Sequence, residues 1–237
     1  MILVLIIILG QRSSTFSKDT LIIFITHNFK PEFKKLLSRT RSNQTTDVVI
    51  LFDDSSTQWE ETDFNVVREK KPETPPVYDS VAKGHELYIN YFNNNDISQY
   101  KYVWVAENDV FYPGSLHEIT DFHSHIECDL LVPHYKDEDP DWKWFKTLDG
   151  FKEVHSKCIL GFIMRFSNRL ATKLNENKHR GFFEAFLPNY CIEQNFTICE
   201  LIRSTMGYMD AVPNEITTNI EQNPYIAEKK MYHPVKV

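Results

Sequence analysis

The residues Tyr100-Lys-Tyr-Val-Trp-Val-Ala-Glu-Asn-Asp-Val-Phe-Tyr-Pro-Gly114 form an apolar run that ends in an acidic tripeptide and then turns. This pattern predicts a buried strand with Glu107-Asn108-Asp109 at its open end. Because side chains alternate along an extended backbone, Glu107 and Asp109 point to the same side. Two such carboxylates suit a hard divalent cation, which in turn neutralises nucleotide phosphates. The alternative is a solvated strand end before a tight turn.

The segments before this strand alternate between strand-like and helix-like patterns. Apolar runs predict strands, and amphipathic spacing predicts the helices that follow them. The predicted elements are a strand at Leu21–Thr26, a helix at Pro31–Arg41, a strand at Val48–Phe52 and a helix at Ser80–Phe92, with a polar, proline-containing stretch between the last two. The alternation predicts an α/β fold with a mainly parallel central sheet flanked by helices.

Polar residues follow three of these strands at the point where each ends. They are Thr26-His27, Asp53-Asp54 and Glu107-Asn108-Asp109. In open α/β sheets ligands bind beyond the carboxyl ends of the strands, so we expect one site at this shared rim.

The second half of the chain is less regular, and no linker separates it from the first. We predict helices at Ser115–His125 and at Ser167–Glu176, the latter capped by Ser167, strands at Cys128–Pro133 and Ile159–Phe166, and an acidic surface loop at Asp137–Trp144. We therefore expect a single domain over residues 1–237, with the nucleotide side at about 21–112 and the acceptor side at about 113–237.

The composition describes a globular protein. The chain has 237 residues, of which 42% are hydrophobic, with 17 Phe and only 7 Gly, enough apolar surface for one substantial core. A formal net charge of −7 disfavours nucleic-acid binding, because neutralising a phosphate backbone requires a concentrated basic face. The four cysteines have neither C-x-x-C spacing nor the density of a disulfide scaffold, so we expect free thiols.

The first ten residues are continuously apolar, but a membrane-spanning helix needs about 20 such residues. A first buried strand, a cleaved signal and a truncated anchor stay open as interpretations of residues 1–20. Membrane association is expected only through this segment. The compartment is accordingly either the cytoplasm or, if residues 1–10 are a signal or anchor, the secretory pathway.

Four local matches, in order along the chain, resemble glycosyltransferases of the GT-A type, which have a single Rossmann-like domain. The resemblance is greatest to small members of eukaryotic and large-virus type. The four matches are Glu107-Asn108-Asp109, Gly161 in Ile159-Leu-Gly-Phe-Ile163, Glu184 in Gly181-Phe-Phe-Glu-Ala-Phe-Leu-Pro-Asn189, and the final Met231-Tyr-His-Pro-Val-Lys-Val237. The first resembles the family's Asp-x-Asp motif, with Glu in place of the first Asp.

The resemblance implies a role for each matched residue. Asp109 and His233 would bind the metal, with manganese preferred over magnesium. Glu107 would lie near the ribose or the metal, and Asn108 would contact the nucleotide. Lys236 would contact the diphosphate, Gly161 would let the sugars approach, and Glu184 would be the catalytic base. The donor would be a nucleotide-diphosphate sugar, and the acceptor a hydroxyl of a glycan or glycoprotein.

Donor and acceptor contacts outside the four motifs follow from position and chemistry. We expect Thr26 and His27 near the base, Asp53 or Asp54 near the base or ribose, and Lys83 near the ribose or a phosphate. Trp142 and Trp144 could stack on an acceptor sugar, with core packing as the alternative.

Two other classes of function stay open. One is a non-catalytic carbohydrate- or nucleotide-binding module on the same fold, favoured by the Glu at position 107. The other is a metal-dependent hydrolase or nucleotidyltransferase, which also places carboxylates at strand ends. The second class more often carries a glycine-rich phosphate loop, which Thr26-His-Asn-Phe29 does not resemble.

Overall fold

The computed structural model describes residues 18–54, 61–69, 84–175, 181–207 and 230–233. Within these ranges the strands are β1 (Lys18–Thr26), β2 (Thr46–Asp53), β3 (Val66–Glu69), β4 (Tyr100–Glu107), β5 (Leu130–Val132), β6 (His134–Asp137), β7 (Lys157–Leu160), β8 (Ile163–Ser167) and β9 (Ile198–Glu200). The helices are α1 (Pro31–Arg39), α2 (Gly84–Asn94), α3 (Leu116–Phe122), α4 (Asn168–Asn175) and α5 (Phe183–Glu193).

Seven strands form one sheet in the order β3-β2-β1-β4-β8-β5-β9. The pairs β3–β2, β2–β1, β1–β4 and β5–β9 are parallel, and only β8 runs antiparallel to its neighbours β4 and β5. Strands β6 and β7 form a separate antiparallel ribbon. The predicted α/β fold with a mainly parallel, helix-flanked sheet is confirmed.

Helices cover both faces of the sheet, because its central strands are apolar on both sides. In β4, Val103 and Val105 pack into the core formed with α2, α4 and α5, whereas Trp104 and Ala106 pack into the core formed with α1 and α3. The chain is therefore a three-layer structure, in which period-two alternation along β4 supplies both cores.

The strand order reverses between β1 and β4, and this reversal decides where a ligand can bind. From β1 the chain proceeds outward through β2 and β3, and then returns to place β4 on the other side of β1. Connections leave in opposite directions at such a point and open a crevice at the carboxyl ends of the two strands. Ile25 pairs with Glu107, so Thr26 and the acidic tripeptide lie side by side at this crevice.

Three expectations from the sequence are corrected. The strand predicted at Ile159–Phe166 is two strands, β7 and β8, separated at Gly161 and Phe162. The polar stretch after Asp54 contains a short edge strand, β3. The loop expected at Asp137–Trp144 begins inside the β6–β7 ribbon and ends in a 3-10 turn at Lys143–Thr147.

Two other expectations, the Ser167 cap and the free cysteines, are confirmed. Ser167 caps α4, where its hydroxyl accepts the N–H of Leu170 at 3.1 Å. All four cysteines are free thiols. None of the helices among the described residues is both long and apolar enough to span a bilayer.

The Asp129 carboxylate cross-links the half of the sheet formed by β8, β5 and β9. It accepts hydrogen bonds from the backbone N–H and hydroxyl of Thr197 at 2.9 and 3.0 Å and from the hydroxyl of Ser167 at 2.8 Å. It also forms an ion pair with Arg169 at 2.5 Å. Burial opposes ionisation, but Arg169 and the Thr197 donors outweigh it and lower the pKa of Asp129. One carboxylate thus joins β5, β8 and the loop before β9.

We expect Asp129→Ala to lower the free energy of unfolding by about 2–4 kcal/mol, because its buried donors lose their acceptor. Since the folded-state pKa is depressed, the carboxylate stabilises the fold above its unfolded pKa, and this contribution disappears as pH falls. Urea unfolding at pH 7 and pH 3 measures both effects. An equal deficit at the two pH values would contradict this role.

Candidate metal and catalytic site

Three potential metal ligands converge at the carboxyl end of β4. Glu107 ends that strand, and Asp109 follows in the next turn. Nε2 of His233 lies 3.3 Å from Oδ1 of Asp109 and 3.6 Å from Oε2 of Glu107. One ligand atom from each residue lies within 4.8 Å of the other two. The fold thus brings these widely separated residues to a single point.

Backbone pairing of Met231 and Tyr232 with neighbouring segments places His233 at this point. Tyr232 and Phe111 exchange backbone hydrogen bonds at 2.9 Å in both directions, next to the acidic tripeptide. On the other side, Met231 accepts the N–H of Gly207 and donates to the carbonyl of Thr205, both at 2.8 Å. Met231 and Tyr232 are almost fully buried. Packing of this segment therefore fixes the backbone that carries the imidazole.

The charges at this point favour an added cation. Burial of His233 disfavours its protonated form, but Asp109 and Glu107 outweigh burial and raise the pKa of the imidazole to about 9. The ring is therefore an imidazolium at neutral pH and compensates the two carboxylates. A site that holds a proton this strongly also attracts a metal ion, and the two compete for Nε2.

The donor set fits a divalent cation. Oδ1 of Asp109 is buried and, among the described residues, has no hydrogen-bond donor besides its ion-pair contact with His233. Oxygen ligands about 2.1 Å from Mg²⁺ lie at most about 4.2 Å apart, so small side-chain rotations would bring these atoms to coordinating positions. Two carboxylates with one imidazole suit manganese better than magnesium, which prefers oxygen ligands and water.

Glu184 lies in the first turn of α5, next to this donor set. Its Oε1 accepts the backbone N–H of Gly161 at 3.2 Å. Burial raises the pKa of Glu184 to about 7; the Gly161 N–H opposes the shift, whereas the charge of Glu107 adds to it. A pKa in this range suits a general base at neutral pH.

The break between β7 and β8 connects the metal ligands with Glu184. Gly161 donates to Glu184, and the carbonyl of the next residue, Phe162, accepts the N–H of Glu107 at 2.9 Å. A Cβ at position 161 would collide with the ring of Phe183, so packing alone already demands glycine there. The predicted role of Gly161 in sugar approach stays a prediction.

Two residues that sequence reasoning missed, Asn28 and Phe162, also support the site. The side chain of Asn108 donates to Oδ1 of Asn28 at 2.9 Å and so joins the ends of β4 and β1 across the crevice. The ring of Phe162 stacks on His233 with centroids 4.1 Å apart and an interplanar angle of 9°. Phe162 lies in the same apolar run as Gly161, but nothing in that run indicates its stacking partner.

The residues predicted for nucleotide recognition lie along the same rim. The hydroxyl of Thr26 accepts the N–H of Asn28 at 3.1 Å and shapes the turn after β1, and the neighbouring His27 is exposed. Asp53 is buried at the end of β2, and Asp54 is ion-paired with Arg68 of β3. The predictions for Lys83 and Lys236 fall outside the described residues.

The predicted aromatic wall lies against the start of α5. Trp144 stacks on Phe182 with a centroid distance of 4.2 Å, and Trp142 contacts the same ring edge-on at 6.0 Å. Both tryptophans are half-buried, so packing accounts for one part of each side chain and another part faces solvent. Phe182 precedes Glu184 by two residues, and the predicted contact of the two tryptophans with an acceptor sugar stays a prediction.

Comparisons with known proteins identify no family. No protein-family model matches the chain, and no curated sequence is significantly similar to it. Among solved structures, mouse xyloside xylosyltransferase 1 in its apo form is similar at 10% sequence identity and a TM-score of 0.46. The similarity covers 93% of this chain and 99% of that one. At this degree of similarity neither substrate nor mechanism transfers from one protein to the other.

Glu184→Gln should stabilise the metal-free protein at pH 8 but not at pH 4. The pKa of Glu184 is about 7 in the folded protein, against 4.5 for a glutamate in water. The stability associated with its protonated form is therefore complete below 4.5 and is lost as pH rises through 7. The gain at pH 8 should approach about 3 kcal/mol.

Chemical unfolding of both proteins in the presence of a chelator, between pH 4 and pH 8, measures this difference. Glu153→Gln, which removes an exposed carboxylate outside α5, is the control for a general effect of losing one negative charge. A Glu184→Gln protein that stays parallel to wild type across the whole range would show that burial does not perturb this carboxylate.

Proposed function

We propose that this protein is a metal-dependent glycosyltransferase that moves a sugar from a nucleotide-diphosphate sugar to a hydroxyl acceptor of a glycan or glycoprotein. One observation carries the proposal: the Glu107, Asp109 and His233 ligand set meets at the β1–β4 crevice, and the Gly161-Phe162 connection links it to Glu184, a carboxylate whose pKa is about 7. The four-motif resemblance supports the same conclusion.

The proposed donor is oriented along the carboxyl ends of β1, β2 and β4. Asp109 and His233, with Glu107, would hold a divalent ion, manganese in preference to magnesium, which supplies electrostatic stabilisation of the departing diphosphate. Thr26, His27 and Asn108 would contact the nucleoside, and Asp53 or Asp54 the base or ribose. Lys83 and Lys236 are proposed for the ribose and phosphates.

Glu184 is proposed to take the proton from the acceptor hydroxyl as the new bond forms. An alcohol is a weak nucleophile at neutral pH, so a base with a pKa near 7 within hydrogen-bond reach accelerates its attack. Gly161 would hold this carboxylate through its N–H, and Trp142 and Trp144 would present apolar faces to the acceptor sugar. A base opposite the leaving phosphate gives a single displacement, so we propose inversion at the anomeric carbon.

The first experiment is a scan of nucleotide sugars for hydrolysis, with manganese, magnesium or a chelator, on wild type and Asp109→Ala. We expect metal-dependent release of a nucleoside diphosphate from one donor, reduced at least about 100-fold by the substitution, because a lost metal ligand removes the charge that stabilises the leaving group. Asp19→Ala, an exposed aspartate at the opposite end of the sheet, is the matched control.

Each other outcome favours another class of protein. Metal-dependent donor binding without turnover, even with candidate acceptors supplied, would indicate a non-catalytic binding module. Release of the nucleoside monophosphate and phosphosugar would indicate a hydrolase. Donor turnover that is indifferent to chelator and to Asp109→Ala would contradict the proposed metal chemistry.

Replacement of Glu184 by Gln should lower kcat for transfer by about 10²- to 10⁴-fold, the usual contribution of a general base, with little change in the donor KM. The wild-type rate should decline towards acid pH as this carboxylate takes up a proton, and the variant should lack that limb. Steady-state rates between pH 5.5 and 8.5 with the donor found in the scan test both points. An unchanged kcat would remove Glu184 from the reaction.

A further inference from the structure

His233 differs from most metal-binding histidines in how its ring is oriented. A ligating imidazole usually donates its second ring N–H to a carboxylate or carbonyl, which fixes the plane of the ring. Here Nε2 faces Asp109 and Glu107, and Nδ1 is buried with no hydrogen-bond partner among the residues described. The backbone pairing of Met231 and Tyr232 fixes the backbone of His233, but the side-chain torsions of His233 depend on other contacts.

Phe162 is in contact with the face of this imidazole. The centroids of the two rings are 4.1 Å apart, and the ring planes are nearly parallel, at 9°. Most other ring pairs among the described residues are strongly inclined. Phe162 is only 3% exposed and belongs to the core cluster between the sheet and helices α1 and α3, so its own ring cannot turn away. A fixed flat surface on one side confines the imidazole to a plane nearly parallel to the Phe162 ring, with Nε2 within 3.3 Å of Asp109 and 3.6 Å of Glu107.

The backbone of Phe162 is tied to the other side of the same site. Its carbonyl accepts the N–H of Glu107 at 2.9 Å, and the preceding N–H, of Gly161, is bound to Glu184. A shift of this connection would therefore move the imidazole, a carboxylate ligand and the candidate base together. No sequence motif assigned a role to this phenylalanine.

We propose that Phe162 is a positioning residue of the metal centre, where its stacked ring takes the place of the missing hydrogen bond at Nδ1 and holds Nε2 of His233 towards the metal. This inference rests on the proposed function in that it assumes a divalent ion at Glu107, Asp109 and His233. Phe162 acts only through His233 and touches neither the metal nor the substrate.

A double-mutant cycle on metal affinity tests the proposal. The variants are Phe162→Leu, His233→Ala and their combination, and Mn²⁺ binding is measured on the whole chain by electron paramagnetic resonance titration without any substrate. We expect Phe162→Leu to weaken Mn²⁺ binding about tenfold in the wild-type background, as other residues that orient a metal ligand do. With His233 already replaced, the same change should alter affinity less than about twofold, because its route of action is gone.

Phe166→Leu is the matched control for damage to the core. Phe166 is a fully buried phenylalanine on β8, the strand that begins directly after Phe162, and it packs against Tyr88 and Phe92 on the opposite face of the sheet. It should lower the thermal midpoint as much as Phe162→Leu does and leave Mn²⁺ affinity unchanged. Phe162→Tyr, which keeps the ring, should retain most of the wild-type affinity.

Two results would overturn the proposal. Equal losses of Mn²⁺ affinity from Phe162→Leu with and without His233 would show that the ring does not act through the imidazole. An unchanged Mn²⁺ affinity in Phe162→Leu would show that the Phe162 ring does not position the metal ligand. Both results leave the proposed metal site intact. A wild-type protein that binds no Mn²⁺ is a different failure, because it removes the metal from the proposed function and the inference with it.

Discussion

Two carboxylates held on one side of a strand end repel each other, and this repulsion is the constraint on which the site depends. The backbone holds them close together: Glu107 ends β4 and donates its N–H to the Phe162 carbonyl, and Asp109 lies in the turn that the Val110 N–H closes on the Glu107 carbonyl. Their charge has to be balanced by a cation close to both. His233, held in place by the buried Met231 and Tyr232, supplies it as an imidazolium with a pKa of about 9.

The break between β7 and β8 fixes the positions of the groups around this ion pair. A continuous strand through Gly161 and Phe162 would have directed their N–H and carbonyl groups into a regular ladder. The break instead frees one N–H for Glu184 and one carbonyl for Glu107, and it places the Phe162 ring on His233. The glycine is demanded by the packing of Phe183, so a requirement of the core and the arrangement of the site coincide at one residue.

The sequence predicts those parts of the molecule that depend on local pattern. Buried parallel strands need apolar runs and become polar where they end, so β1, β2 and β4 and the shared rim could be predicted. The period-two argument for Glu107 and Asp109 is wrong, because β4 ends at Glu107 and Asp109 lies in the turn that follows. The break in the Ile159–Phe166 run could not, because it depends on a ring from α5 filling the space beside Gly161. Edge strand β3 has only four residues and few apolar ones, which is too short a pattern to stand out. The stacking of Phe162 on His233 joins distant segments and has no local signature.

The state of Glu184 bears on whether the site catalyses or only binds. A carboxylate with a pKa raised to about 7 by burial is held in a place where its ionised form is disfavoured, and the fold is less stable for it at neutral pH. A module that only held a nucleotide and a metal would be served equally well, and would be more stable, with glutamine there. A base needs this environment, because a carboxylate that is easily reprotonated near neutral pH is a more effective proton acceptor than one fully solvated. The raised pKa of Glu184, beside a ligand set that fits a cation, is therefore the reason for assigning it the role of base in the proposed function.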